Sequence, residues 1–254
     1  MDAFKDIMNS FDSYSRQARL YPALLTIAPL TLTVMLLLPV KVTMDTLEVV
    51  LAMFAFLGGF YFLSSLARSK GKSIEDKLNQ SWGGWRTTVL LRHSDNYFDS
   101  FTKKRYFGEL QKICGNGFVL PTPEEEIKNP SLADQKYRSA TKALMEQRRG
   151  KDHHLVHKEN AQYGFWRNLL GLKALAMSLT TVSFFISLLV LITTIPSQLD
   201  NFTAFESHFK QEWLVYLVCI GNLIYLFCIW IYVNALRVLE ASNNYAAALF
   251  RTLD

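Results

Sequence analysis

The chain has 254 residues, half of them hydrophobic, with 27 Lys and Arg against 22 Asp and Glu and a net charge of +5. Its apolar residues are gathered into four runs of about 20, the length that crosses a hydrocarbon core of about 30 Å, which argues against an ordinary soluble core. Three cysteines, Cys114 in a charged stretch and Cys219 and Cys228 inside an apolar run, exclude a disulfide scaffold.

The leader, residues 1–19, carries Phe4, Ile7, Met8, Phe11, Tyr14 and Ala18 at helical spacing, with Asp2, Lys5, Asp6 and Asp12 on the other side. It reads as an amphipathic helix. Its charges cancel, so attraction to anionic lipid is weak, and two readings stay open. The leader is an interfacial anchor, or it is a lid docked on protein through Phe4, Ile7, Met8 and Phe11. Arg19 and Pro22 are expected to separate it from the first span.

Spans are expected over 20–40 and 47–66, joined by a neutral link, and over 174–195 and 213–233, joined by a segment of net charge −2. Between the two pairs, residues 67–169 hold 19 Lys and Arg against 12 Asp and Glu, a net +7. Cytoplasmic segments retain Lys and Arg, so both termini and the middle are expected in the cytoplasm. No small-residue cleavage site follows the first run, which is therefore expected to stay as an anchor. The fold class is all-α and integral to the membrane, with two N-terminal and two C-terminal transmembrane helices flanking a helical cytoplasmic domain.

In that domain, helix starts are expected at Ser73, Ser94, Thr122 (with Pro123 and Glu125) and Ser131, and stops at Gly115 and Gly150. Residues 96–113 and 132–149 read as its longest helices, Gly83 and 115–123 as turns, and 88–91 as a lone strand-like run. Residues 234–253 contain no Pro or Gly and keep a helical rhythm. The fourth membrane helix is thus expected to run on as a stalk of about 30 Å.

Catalytic motifs are missing. The GKS at Gly71–Ser73 lacks the glycine and the strand of a phosphate-binding loop. His153, His154 and His157 read as a surface cluster, or as a zinc pair lacking its remaining ligands. The acids Glu124, Glu125 and Glu126 suit a first helical turn. No enzyme activity, metal or cofactor is expected.

Within the spans, Thr180, Ser183, Ser187 and Thr194 fall on one helical face, and Asn222, Tyr225 and Tyr232 on another. These are helix-to-helix hydrogen-bonding groups or the wall of a pore. The usual machinery of proton relays and coupled transporters is absent, because no charged residue sits mid-span. Four spans enclose little by themselves, so a pore requires a homo-oligomer, with a tetramer favoured. Ala55 and Gly59 form a small-residue packing pair. Lys103, Lys104 and Arg105 lie among aromatics, and Arg148 and Arg149 form a second basic knot. Such charge reflects topology and anionic lipid, or a surface for a nucleotide or short nucleic acid. The stretch from Glu159 to Lys173 is expected to be an interfacial gating collar, with Glu159, Asn160, Tyr163, Arg167 and Lys173 as its candidates and Gly164 and Gly171 allowing a turn or close approach.

Five motifs together resemble a family of small bacterial membrane proteins: WGG with TTxxLR (Trp82 to Arg92), KxRY (Lys103 to Tyr106), PTxEE (Pro121 to Glu125), ADxxY (Ala133 to Tyr137) and ENxxYGFxRNLxGLK (Glu159 to Lys173). The layout is that of channel-forming effectors of anti-phage defence, such as the membrane component of Hailong-type systems. The resemblance implies an oligomeric inner-membrane channel, held closed by DNA oligomers that a partner nucleotidyltransferase makes. Trp166 and Trp85 depart from the family pattern. The expected function is a channel that depolarises the membrane, gated through the cytoplasmic domain. The alternative is a non-conducting, membrane-anchored scaffold that recruits a soluble enzyme.

Overall fold

The computed structural model describes residues 12–37, 46–115, 117–149, 153–195 and 202–254, with the helical backbone alone over 46–57, at 60 and over 202–204. The leader candidates Phe4, Ile7, Met8 and Phe11 lie outside these residues. All secondary structure among the described residues is helical, as expected. A helical turn, Ser13–Ser15, and a π-helical turn, Arg16–Leu20, lead into α1 (Tyr21–Leu37). There follow α2 (Thr46–Ser81), α3 (Arg86–Val89), α4 (Ser100–Cys114), α5 (Pro123–Lys128), α6 (Pro130–Gln147), α7 (His154–Thr194), α8 (Phe202–Tyr232) and α9 (Ala235–Phe250). Among the described residues, three helical stretches, Ser13–Leu37, His154–Thr194 and Phe205–Tyr232, are long and apolar enough to cross a membrane.

Residues 12–73 and Phe165–Asn234 pack as one unit, and Ile74–Gly164 and Ala235–Asp254 as another. In the first, Ala23, Ala67 and Leu172 meet where α1, α2 and α7 pack, and Leu169, Ala176, Ile229 and Val233 join α7 to α8. Outward faces are apolar: Met35, Phe185, Leu189, Ile220 and Ile224 are all exposed. In the second unit the core gathers Leu90, Leu91, Tyr106, Leu110, Tyr137, Ala140 and Leu144 with Leu249, Phe250 and Leu253.

Local chemistry explains the boundaries. Thr122 and Glu125 form a reciprocal capping box that starts α5. Gly115, at φ +91°, ends α4 in a conformation open to glycine. Elsewhere the expected starts move. Ser73 lies inside α2 and its hydroxyl donates to the Lys70 carbonyl, so it starts nothing. Asp99, not Ser94, caps α4 by accepting from the amides of Phe101 and Thr102, and Asn129 caps α6 through the Leu132 amide. Residues 88–91 are not a strand: Thr88 and Val89 finish the helical turn α3, and Leu90 and Leu91 are fully buried. Arg19 and Pro22 do not separate a leader from the first span, because the chain is helical from Ser13 through Leu37. The expected stalk is also absent. The chain leaves the helix between Tyr232 and Ala235, and α9 then buries Ala246, Leu249 and Phe250 in the second unit's core.

Candidate functional site

On α1, Pro22, Thr26, Pro29 and Thr33 repeat at steps of four, three and four, and all are buried. Proline 29 has no N–H to give the Leu25 carbonyl one turn back. The Tyr225 hydroxyl on α8 fills that vacancy, donating to Leu25 O at 2.5 Å. Four residues beyond the proline, Thr33 meets Ser183 of α7 at 2.5 Å and accepts from Asn222 Nδ2 of α8 at 3.2 Å. Ser183 Oγ lies 3.0 Å from both Asn222 Oδ1 and the Pro29 carbonyl. A consistent proton assignment is a closed ring: Asn222 donates to Thr33, Thr33 to Ser183 and Ser183 to Asn222.

Within one chain the ring and its neighbours are turned inward. Thr180, Ser183 and Ser187 have no exposed surface, and Asn222 is 4% exposed. Thr180, Ser187 and Thr194 donate to carbonyls of their own helix, those of Ala176, Phe184 and Leu191. The polar face therefore points into the packing of one chain, where lipid offers no alternative partner. An apolar groove of about 240 Å³ between α1 and α8, lined by Leu32, Leu36, Leu217 and Gly221, reaches Thr33 and Asn222.

The collar candidates do not converge. Lys173 donates to the carbonyls of Trp230 and Val233, closing the end of α8 with positive charge. Arg167 is buried beside Asn168, whose amide donates to the Ala18 carbonyl. Gly171 packs against the α2 backbone so closely that a Cβ there would lie 2.6 Å from the Lys70 carbonyl carbon. Close approach, not a turn, is thus its role. Tyr163 belongs to the second unit, where it donates to Glu75 and stacks on Tyr245. Glu159 and Asn160 are half-buried in that unit.

The basic candidates also divide. Lys103 shares the buried face of α4 with Tyr106 and Leu110, and its ammonium donates to the carbonyls of Arg92 and Asp95. Burial pulls its pKa down, against Asp95 and Glu126 nearby. It is a strut of the fold, contrary to its expected place on a surface. Lys104 is exposed, and Arg105 pairs with Asp254 at 2.7 Å. Arg148 bonds Thr252 and Arg149 pairs with Glu146. These last two arginines share a pocket of about 230 Å³ with His157, Asn160 and Tyr245.

Sequence reasoning missed the hub of the second unit. Glu126 is buried and accepts from the Tyr137 hydroxyl at 2.7 Å, the His93 amide at 2.8 Å, and the Ser94 amide and hydroxyl. Burial pushes its pKa up, but these donors outweigh burial and hold it below the ordinary carboxylate range. Arg92 grips Asp134 through two nitrogens, at 2.8 and 2.6 Å, and the Gly83 carbonyl at 2.6 Å. The motif residues Arg92, Lys103, Thr122, Glu125, Asp134 and Tyr137 thus serve one framework. His208, also missed, contacts the Thr194 carbonyl at the end of α7 and the Tyr216 hydroxyl. Among the described residues no cluster of His, Cys, Asp and Glu could hold a metal ion, and His153, His154 and His157 form none.

Comparison with protein-family models, curated proteins and solved structures finds no match to this chain.

Proposed function

We propose that the protein is a membrane-anchored helical module whose membrane part holds, without conducting, a compact domain that recruits a soluble partner. The observation that carries this reading is the closed ring of Asn222, Thr33 and Ser183, which pairs one buried polar side chain from each of three helices with the others. Exposed faces of those helices carry mostly apolar side chains such as Met35, Phe185 and Leu189, with Thr31, Ser178 and Thr181 scattered among them, and suit lipid better than an ion path. We read four spans, the helix Thr46–Ser81 carrying the second. The +7 charge of residues 67–169 supports an orientation with both termini and the middle domain in the cytoplasm, and the bacterial inner membrane is the location that the motif resemblance implies.

A second reading is favoured by the groove between α1 and α8, because its lining reaches the buried Thr33 and Asn222 and another copy could pack along it. In that reading a homo-oligomer, a tetramer for instance, forms a channel along these grooves and is gated by an anion such as a DNA oligomer from a partner nucleotidyltransferase. It acts in anti-phage defence by depolarising the membrane. Planar-bilayer recording of purified, correctly assembled protein separates the two. Silence with and without short single-stranded DNA is the outcome of the anchor reading. Unitary currents that disappear in Asn222→Leu would overturn that reading and support the channel.

A further inference from the structure

We propose that the pocket between α6, α7 and α9 is a binding site for a phosphate group, carried by a phosphate monoester or a lipid headgroup. Arg148 and Arg149 enter it from the end of α6, Val156, His157 and Asn160 from the first two turns of α7, and Tyr245 and Leu249 from α9, with Met145 completing the wall. Its volume of about 230 Å³ holds a phosphate together with part of the group that bears it. Arg148 is aimed: its Nε and Nη2 each lie 3.2 Å from Thr252, which fixes the guanidinium plane and leaves other N–H groups for an oxyanion. Arg149 pairs with Glu146, but both side chains are more than 60% exposed, so the pair exchanges readily for a doubly charged oxyanion. His157 and Asn160, three residues apart on one helix, put a ring nitrogen and an amide on the same side. His157 also lies in the first turn of α7, where the helix dipole favours negative charge.

Phosphate fits better than a carboxylate because two guanidinium forks and an amide can serve several oxygens of a tetrahedral group. The apolar wall of Met145, Val156 and Leu249, with the Tyr245 ring stacked on Tyr163, shields the site and offers a flat surface to an organic remainder. This site requires neither the anchor nor the channel reading, and its test uses no current.

Isothermal titration of inorganic pyrophosphate into the full chain, held in phosphatidylcholine nanodiscs at low salt, tests the site. Saturable binding is expected. Arg149→Glu is expected to weaken it at least about tenfold, the loss of a charge-assisted hydrogen bond, and Asn160→Leu several-fold. Lys77→Glu alters an exposed cation outside the pocket and should leave binding unchanged. No saturable binding, no loss in Arg149→Glu, or an equal loss in Lys77→Glu would overturn the proposal. Adding phosphatidic acid to the nanodiscs fixes the source: competition with pyrophosphate marks a headgroup site, and unchanged binding marks a soluble phosphate.

Discussion

Tyr225 donates its hydroxyl to the one-turn-back carbonyl that Pro29 cannot serve, that of Leu25. A proline in α1 and a tyrosine in α8 therefore form one device, a bend-tolerant helix whose freed backbone group is satisfied from its neighbour. Tyr225→Phe orphans that carbonyl and is expected to cost about 1 kcal/mol, between the mean for hydrogen bonds in membranes and the penalty for an unmet buried acceptor. Pro29→Ala supplies an N–H to the same carbonyl, so in that background Tyr225→Phe should cost close to nothing. A double-mutant cycle on unfolding in mixed micelles measures the coupling; additivity would show the two residues to be independent.

The Asn222, Thr33 and Ser183 ring predicts an order of severity. Asn222→Leu removes a donor and an acceptor together and should lower stability by about 1–2 kcal/mol, while Thr180→Val, which loses only a bond to its own helix, should cost less than about 0.5 kcal/mol. Thermal melting of the solubilised variants checks the order.

Glycine positions separate sharply by what surrounds them. A Cβ at Gly71 would lie 1.9 Å from Asn168 Oδ1 and 2.9 Å from its Cα, and one at Gly171 would strike the Lys70 backbone. Gly171→Ala must push two helices apart and is expected to cost about 3 kcal/mol or more. Gly221 has nothing within 4 Å, so Gly221→Ala should be tolerated and, by helix propensity, gain up to about 1 kcal/mol. Comparing the yield of folded protein and melting temperature for the pair tests the close approach.

Acid should loosen the second unit through Glu126. Its carboxyl titrates below the ordinary value because the Tyr137, His93 and Ser94 donors outweigh burial. A depressed folded pKa means that the stabilisation is complete above the unfolded value of about 4.3 and is lost as pH falls through the folded one. Glu126→Gln is expected to cost about 2 kcal/mol at pH 7, the scale of hydrogen bonds to a charged group. It should also flatten the fall in melting temperature between pH 6 and the acid range; a curve parallel to the parent's would assign the acid sensitivity elsewhere. Asp99, lowered by its Thr102 bonds, contributes to the same limb.

Much of the fold was legible because its signals are local. Run length marks four spans, three of which are membrane-length helices among the described residues, and the capping chemistry of Thr122 and the glycine stop at Gly115 are contained within a few residues. Polar faces on α7 and α8 were legible as spacing, but their direction was not, since the partner Thr33 lies 150 residues from Ser183. Thr33 itself could have been found from the four-three-four rhythm of Pro22, Thr26, Pro29 and Thr33. Lys103 misled because adjacency in sequence is not adjacency on a helix. At about 100° per residue it turns inward with Tyr106 and Leu110 while Lys104 and Arg105 turn out. The break after Tyr232 carries no proline or glycine. It is set by tertiary packing: Lys173 closes one helix, and the core of the second unit claims the next.

The second unit's core is completed last in synthesis. The core around Tyr106, Leu110 and Tyr137 is finished by Leu249, Phe250 and Leu253, which leave the ribosome only after Phe165–Asn234 has been made. At about 5–20 residues per second the wait is roughly 4–14 s. Throughout it the nascent domain presents an uncovered apolar face, and the last two membrane helices must be placed before it can be covered. The pace of insertion, more than the domain's own folding, thus governs how long the newborn chain stays vulnerable to proteases and to its neighbours.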